Sequence, residues 1–452
     1  MNIVIVGVGK VGYALAEELS REEHDITMID SNEELLRNAA ERLDIIYVAG
    51  NGTALSVQTE ANVNKADLMI AATSSDEVNM LCCLLARKIG CKYTIARVRN
   101  PEYEKQLYMM KDDLGLSMFI NPELATAVEI SRLITYPAAI SVSSFVSGRV
   151  DLIEIKVAPD SCLVGLTLAA LRAKYPINIL ICAVERGEDV FIPRGDFVIE
   201  VGDSIHISGD SKHIVEFLRA VDNLGRKVKG SIIIGGGRIS YYLSRLLLEM
   251  GVGVRIIEKD RDRCEELSRI LPSALIIEGD GTSRELLEEE GIVATDSFIT
   301  LTDMDEENLI MSMHAVKQGV PKVITKLNRL SYLDVVTGMG IDSVVSPKYI
   351  TAYQIVQYVR AMQNRSGNQV HALYRIADDR VEAAEFIVSA KTLNVGRQLK
   401  DFKVCKNTLI AAIVHEGHVM IPHGDNAFQL GDSVVVVTTA DEPLIDLNEI
   451  FI

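Results

Sequence analysis

Tryptophan is absent from the chain and aromatic residues make up only 5% of it, so the composition offers little for stacking sugars or bases. The seven cysteines (Cys82, Cys83, Cys91, Cys162, Cys182, Cys264, Cys405) lack paired C-x-x-C spacing. They indicate neither a disulfide framework nor a zinc site and read as small hydrophobes buried in a reducing compartment. The roughly 18 to 20 uninterrupted apolar residues of a spanning helix are missing as well. The N-terminus enters a strand directly, where a signal region would be basic and then apolar, so a cytoplasmic protein is expected. Positive charge is the minority sign: 46 lysines and arginines face 63 acids, a net charge of −17 that repels phosphate backbones. Nucleic acid is not an expected partner.

What remains is a 452-residue chain, 48% hydrophobic and 24% charged, which is globular in composition and too long for one core. One unit is written twice. MNIVIVGVGKVGYALAEELSREEHDITMID has a counterpart in KGSIIIGGGRISYYLSRLLLEMGVGVRIIE, which sets Gly7 against Gly235, Gly9 against Gly237 and Asp30 against Glu258. GNGT around Asn51 repeats as GDGT around Asp280, SSDEVN as DMDEEN, and Arg97 falls on Lys326. The repeat continues through IPRGD followed by VGD at Asp203, and IPHGD followed by LGD at Asp432.

In each half, short β-branched runs (IVIVG, DITMID, IIYVAG, LMIAAT, YTIARV) alternate with helical stretches, which predicts a parallel sheet with helices on both faces. The second part of each half carries hairpin signals, VERGEDVF and VHEGHVM, and reads as a small antiparallel sheet with one or two helices. The expected fold is therefore α/β: two tandem Rossmann-like domains with parallel sheets, each followed by a small α+β subdomain. The expected boundaries are 1–138, 139–225, 226–362 and 363–452. Pro122–Tyr136 and Pro347–Ala361 open with proline and predict connecting helices of the kind that dock on a neighbour.

Gly7-Val-Gly9-Lys10-Val11-Gly12 follows a strand and opens a helix, the context in which a G-x-G-x-x-G pattern carries weight. The first glycine permits a tight turn, the second admits a pyrophosphate, and the third lets the helix approach the strand. Asp30, at the end of the second strand, is placed to accept from ribose hydroxyls and disfavours a 2′-phosphate. The second half reads Gly235-Gly-Gly237-Arg238-Ile-Ser240 with Glu258 as its acid. The side chain of Ser240 is expected to push out or rotate its helix and shift the amides, so the first half should take NADH and the second should favour a mononucleotide or bind weakly. Asn51 and Asp280 either reach an adenine edge or hold their loops in an Asx turn. Arg97 either neutralises phosphate or is one of a solvated pair with Arg99. His415, His418 and His423 lack a converging carboxylate and give no metal site, and Glu285 to Glu290 is one solvated helix face. A dehydrogenase would need a substrate domain, and none remains once both repeats are subtracted. An NAD-dependent oxidoreductase and a free-standing redox regulator stay as alternatives.

These motifs together resemble the domains regulating the conductance of potassium, and within them the tandem TrkA-type regulatory subunits, over essentially the whole chain. The resemblance implies a non-enzymatic cytosolic ring, a homo-tetramer or dimer, peripheral on the inner face of the plasma membrane. It would bind NAD(H), with ATP or ADP as alternatives, and act on a TrkH- or TrkG-like potassium-translocating membrane subunit. By position it places Gly7, Gly9, Lys10, Val11, Gly12, Asp30, Asn51, Thr73, Ser74 and Arg97 at the first site. Gly235, Gly237, Arg238, Glu258, Asp280, Thr302 and Lys326 fall at the second. Asn51 in place of aspartate, Ser240 in place of glycine, and Lys348 where the first repeat has Glu123 depart from the pattern. Titrating the halves 1–225 and 226–452 separately with NADH and ATP would decide whether their ligand preferences differ.

Overall fold

The runs Leu68–Ala71 and Ser297–Thr300 are buried at every position, the pattern of strands covered on both faces. A computed structural model of the chain describes residues 1–222, 225–329, 340–341, 343–363, 370–377, 380–439 and 444–452. Across the first parallel sheet the strands run Ile46–Ala49, Asp25–Asp30, Asn2–Val6, Leu68–Ala71, Tyr93–Arg97, Met118–Ile120. The second repeats the order with Leu275–Glu278, Gly253–Glu258, Gly230–Ile234, Ser297–Thr300, Lys322–Lys326, Ser343–Val345. In both, the strand order reverses beside the first strand, which opens a crevice at the carboxyl ends. Local chemistry sets the helix ends. For Asp76–Ile89, the Ser75 hydroxyl caps the Val78 N–H, acids fill the first turn, and Gly90 closes the helix at φ +117°.

Each parallel sheet is followed by an antiparallel lobe. The first is ordered Asp189–Phe191, Ile179–Arg186, Ser204–Gly209, Val150–Lys156, Ser141–Phe145. The second is ordered Val370–Ile376, Val381–Ile387, Ser433–Thr438, Thr408–His415, His418–Met420. The aspartates of the VGD and LGD turns are buried and anchor these lobes. Asp203 takes Arg186 Nε at 2.8 Å and Asp432 takes His415 Nδ1 at 2.6 Å.

The connecting helices, Pro122–Thr135 and Pro347–Gln363, do not pack within their own halves alone. Ile130, Leu133 and Tyr136 share a core with Ile233, Leu243 and Leu247 of the second half. Ile355, Val359 and Phe386 share one with Ile3, Leu15 and Leu19 of the first. Asn121 Nδ2 donates to Tyr242 Oη at 2.9 Å, and buried Lys322 donates to the Ala139 carbonyl at 2.5 Å. The two lobes meet as well: Phe145 packs edge-on against Tyr374 at 4.9 Å, and the Tyr374 hydroxyl donates to the Ser144 carbonyl at 3.0 Å. A cut at 225 would therefore expose both mixed cores.

Five cysteines are buried as expected, but Cys162 is exposed and Cys405 half-buried, at loop positions outside the sheets. Among the described residues no helix is long and apolar enough to cross a membrane.

Candidate nucleotide site

The first strand of each parallel sheet ends in a glycine that only glycine serves well: Gly7 at φ +102° and Gly235 at φ +94°. A Cβ on Gly7 would meet the Ala72 carbonyl and the Thr73 amide at 3.0 Å. Helices Lys10–Arg21 and Arg238–Glu249 then begin at Gly9 and Gly237, which are extended and supply no side-chain cap. Their first-turn N–H groups are therefore open to an anion. Lys10 and Arg238 are exposed beside these turns, whereas the side chain of Val11 is buried in the core and leaves only its backbone to the site.

A Cβ at Gly12 would fall 1.8 Å from the Gly7 carbonyl oxygen, which is the close approach the third glycine allows. In the second half the Ser240 hydroxyl fills that gap and donates to the Gly235 carbonyl. The backbone at the helix start is nearly the same in both, φ −70° and ψ −176° at Gly9 against −67° and −173° at Gly237. The serine is absorbed by a hydrogen bond, and the expected rotation of the amides does not occur.

Asp30 accepts from the Val8 N–H at 2.8 Å and the Asn32 N–H at 2.9 Å. Glu258 does the same with the Gly236 and Asp260 N–H groups. Each acid thus ties the second strand to the glycine turn, and a carboxylate oxygen that accepts one N–H keeps capacity for a ribose hydroxyl. Asn51 Oδ1 takes the N–H and hydroxyl of Thr53 at 3.0 and 2.8 Å, and Asp280 Oδ1 takes those of Thr282 at 2.9 and 2.7 Å. Of the two roles weighed for this pair, the loop-holding Asx turn is the one formed. The Thr282 bonds, with Lys259 at 3.2 Å, hold Asp280 down at about 2.

At the fourth strand, buried Asn79 accepts from the N–H and hydroxyl of Thr73 at 2.8 and 2.7 Å and donates to the Arg97 carbonyl at 2.9 Å. Asn308 makes the same bonds to Thr302 and Lys326. These amides lock the fourth and fifth strand ends that carry the site threonines and cations. Asn79 and Asn308 are the last residues of the aligned strings SSDEVN and DMDEEN. Ser74 is exposed, and its carbonyl accepts from Arg99. Arg97 is not the solvated residue of the rival reading: its Nε is buried without a partner among the described residues, and burial lowers its pKa.

In the second half, Gly235, Gly237, Arg238, Glu258, Asp280, Thr302 and Lys326 line one cavity of about 550 Å³. Arg99 and Glu123 of the first half complete its wall, a consequence of the crossed connecting helix that no local motif signals. Glu123 Oε2 is buried and unpartnered among the described residues, and burial raises its pKa against the pull of Arg97, Arg99 and Arg238. Lys348 occupies the equivalent place toward the first half, near Glu17 and Lys10, and burial lowers its pKa. A ligand-sized cavity with open amides, an acid at the end of its second strand and a buried cation is suited to holding a phosphate-bearing nucleotide. His415 and His423 pair instead with Asp432 and Arg172.

Two Rossmann-like domains, each with an antiparallel lobe and an uncapped glycine helix, define a tandem nucleotide-fold architecture. The family model for the TrkA-N domain matches residues 3–122 and 231–347, and that for the TrkA-C domain matches 152–222. The chain is 36% identical over 455 residues to the Trk system potassium uptake protein TrkA of Halomonas elongata, covering 100% of this chain and 98% of that protein. It is 34% identical over 452 residues to a TrkA homolog of Archaeoglobus fulgidus, covering 100% of each. The chain belongs to the TrkA family of Trk system potassium uptake proteins. Among solved structures, the GsuK channel matches with a TM-score of 0.65 at 18% identity, over 98% of this chain and 77% of that one. The GsuK channel bound to NAD gives 0.64 at 17%, over 98% and 77%. At such identity the likeness speaks to the fold.

Proposed function

We propose that this chain is a nucleotide-sensing regulatory subunit that gates a TrkH- or TrkG-like potassium-translocating subunit from the inner face of the plasma membrane. It acts as a homo-oligomer built from the four units 1–138, 139–225, 226–362 and 363–452. NAD(H) is the expected ligand, with ATP or ADP as alternatives. The observation that carries the reading is the convergence of the second-half glycine turn, Glu258, Asp280 and Lys326 on one cavity at an uncapped helix start. Family membership and the GsuK structures described as bound to NAD and to ADP point the same way.

In this reading the phosphates rest on the amides after Gly9 and Gly237, Asp30 and Glu258 accept from ribose, and Arg97 and Lys326 offset the phosphate charge. Titration of the full chain with NADH, NAD, ATP and ADP by calorimetry tests it. Asp30→Ala removes a charge-assisted bond and should weaken the first site by about 1.5 to 3 kcal/mol, roughly 10- to 150-fold. Isotherms that overlay those of the parent, or an absence of binding by all four nucleotides, would overturn the proposal.

A further inference from the structure

We propose that Glu154, Glu185 and His206 form a binding site for one divalent transition-metal ion of the zinc or cobalt kind in the first antiparallel lobe. The three residues lie on adjacent strands. His206 stands directly opposite Glu154, and Glu185 lies opposite Ser204, one diagonal step from His206 on the same face. One ligand atom from each comes within 4.8 Å of the others, and His206 is only 1% exposed. Tetrahedral zinc with ligand bonds of about 2.0 to 2.2 Å needs ligand atoms about 3.4 Å apart. Side-chain adjustment of up to about 1.4 Å closes the set, with the 2.8 Å pair of His206 and Glu185 opening slightly.

The donor chemistry selects the ion. An imidazole nitrogen with two carboxylates suits zinc or cobalt, whereas calcium and magnesium take mostly oxygen ligands in larger number. His206 Nε2 already lies 2.8 Å from Glu185 Oε1, and a metal would take the proton's place between them. Supporting groups hold the carboxylates: the Ser141 hydroxyl donates to Glu154 Oε2 at 2.9 Å, and Arg380 of the second lobe donates to Glu185 Oε2 at 3.1 Å. With Arg380 offsetting one carboxylate, a divalent ion meets a net negative site. Glu154 and Ser141 also line a cavity of about 780 Å³ between the connecting helices, which supplies an entry path.

The duplicated lobe is an internal control. There the same strands place Glu385 opposite Val435, with Val414 at the position of Glu185, and Glu385 accepts from the Val146 N–H at 2.7 Å instead. The same backbone therefore carries the donor set once, on the seam where Arg380 joins the two lobes.

Chelator-treated full-length protein titrated with Co²⁺, and with Zn²⁺ in competition, tests the site. The expected result is one saturable equivalent per chain with a visible d–d band and no sulfur-to-cobalt charge transfer. His206→Gln should weaken it at least tenfold, while His415→Gln leaves it intact. Glu154→Gln, at the cavity edge, gives the same test should the buried histidine variant fail to fold. The proposal is overturned by no saturable band in the parent, by a thiolate band, or by Glu154→Gln and a folded His206→Gln that titrate like the parent.

Discussion

Replacing Arg360 with alanine should loosen two elements that lie far apart in the chain. Arg360 has no exposed surface and grips two carboxylates at once. Its Nε reaches Glu22 Oε2 at 2.7 Å, and its terminal nitrogens reach Glu382 at 3.1 and 2.9 Å. Arg375 extends the cluster to Glu18 and Glu22, both at 2.8 Å. Glu18 and Glu22 end the glycine helix of the first half, Arg360 lies on the second connecting helix, and Glu382 belongs to the second lobe. Without Arg360, Glu22 and Glu382 would share Arg375, at 2.8 and 3.6 Å. Stranding buried carboxylates costs about 3 to 5 kcal/mol, and the remaining arginine sets the expectation at the lower end, about 3. Hydrogen exchange reads this locally. Amides of Lys10–Arg21 and of Val381–Ile387 should lose protection together, by roughly 150-fold for about 3 kcal/mol. Replacing Arg360, Glu22 and Glu382 together by apolar residues should recover much of the loss, because the desolvation cost leaves with the charges. A loss below about 1 kcal/mol, or one confined to a single element, would refute the reasoning.

Gly12→Ala places a methyl where 1.8 Å separates it from the Gly7 carbonyl, so it should cost about 1 to 3 kcal/mol. In thermal unfolding and NADH titration, the loss should appear at the first site and spare the second. Burial pushes the Glu129 carboxyl up to about 7 from 4.5, against Arg132 at 3.5 Å, so the fold favours the neutral acid. Its contribution is complete below about pH 4.5 and lost as pH rises through about 7, at most about 3 kcal/mol. Denaturant midpoints measured across that window should fall with pH, and Glu129→Gln should flatten this part of the profile.

The parallel sheets were legible because their signals are local. A glycine turn, a β-branched run and a capped helix each occupy a few consecutive residues, and duplication showed them twice. Arg97 illustrates the limit: its position at a strand end could be read, but its burial could not, nor the charges of Glu123 and Arg238 that reach it from other elements. The cluster of Glu154, Glu185 and His206 lies deeper still, since it forms only after three strands pair in one register. Cys162 looked like any other small hydrophobe until its loop was placed at the surface.

The crossed connecting helices were hidden for a related reason: an amphipathic stripe says that a face is covered and not by what. Their exchange also makes the two sites unequal in a way that Ser240 does not. Across the second glycine helix stands Glu123, and across the first stands Lys348, so the opposite half presents an acid to one site and a base to the other. The second-half cavity thus holds Arg238 and Lys326 together with a buried carboxyl, whereas on the first side Lys348 stands near Lys10 and Glu17. Glu123 lies at the start of helix Pro122–Thr135, whose Ile130 and Leu133 pack with Leu243 and Leu247 of the second glycine helix. Glu123 thereby ties the wall of that cavity to the helix that leads into the first lobe, through contacts that cross between the halves.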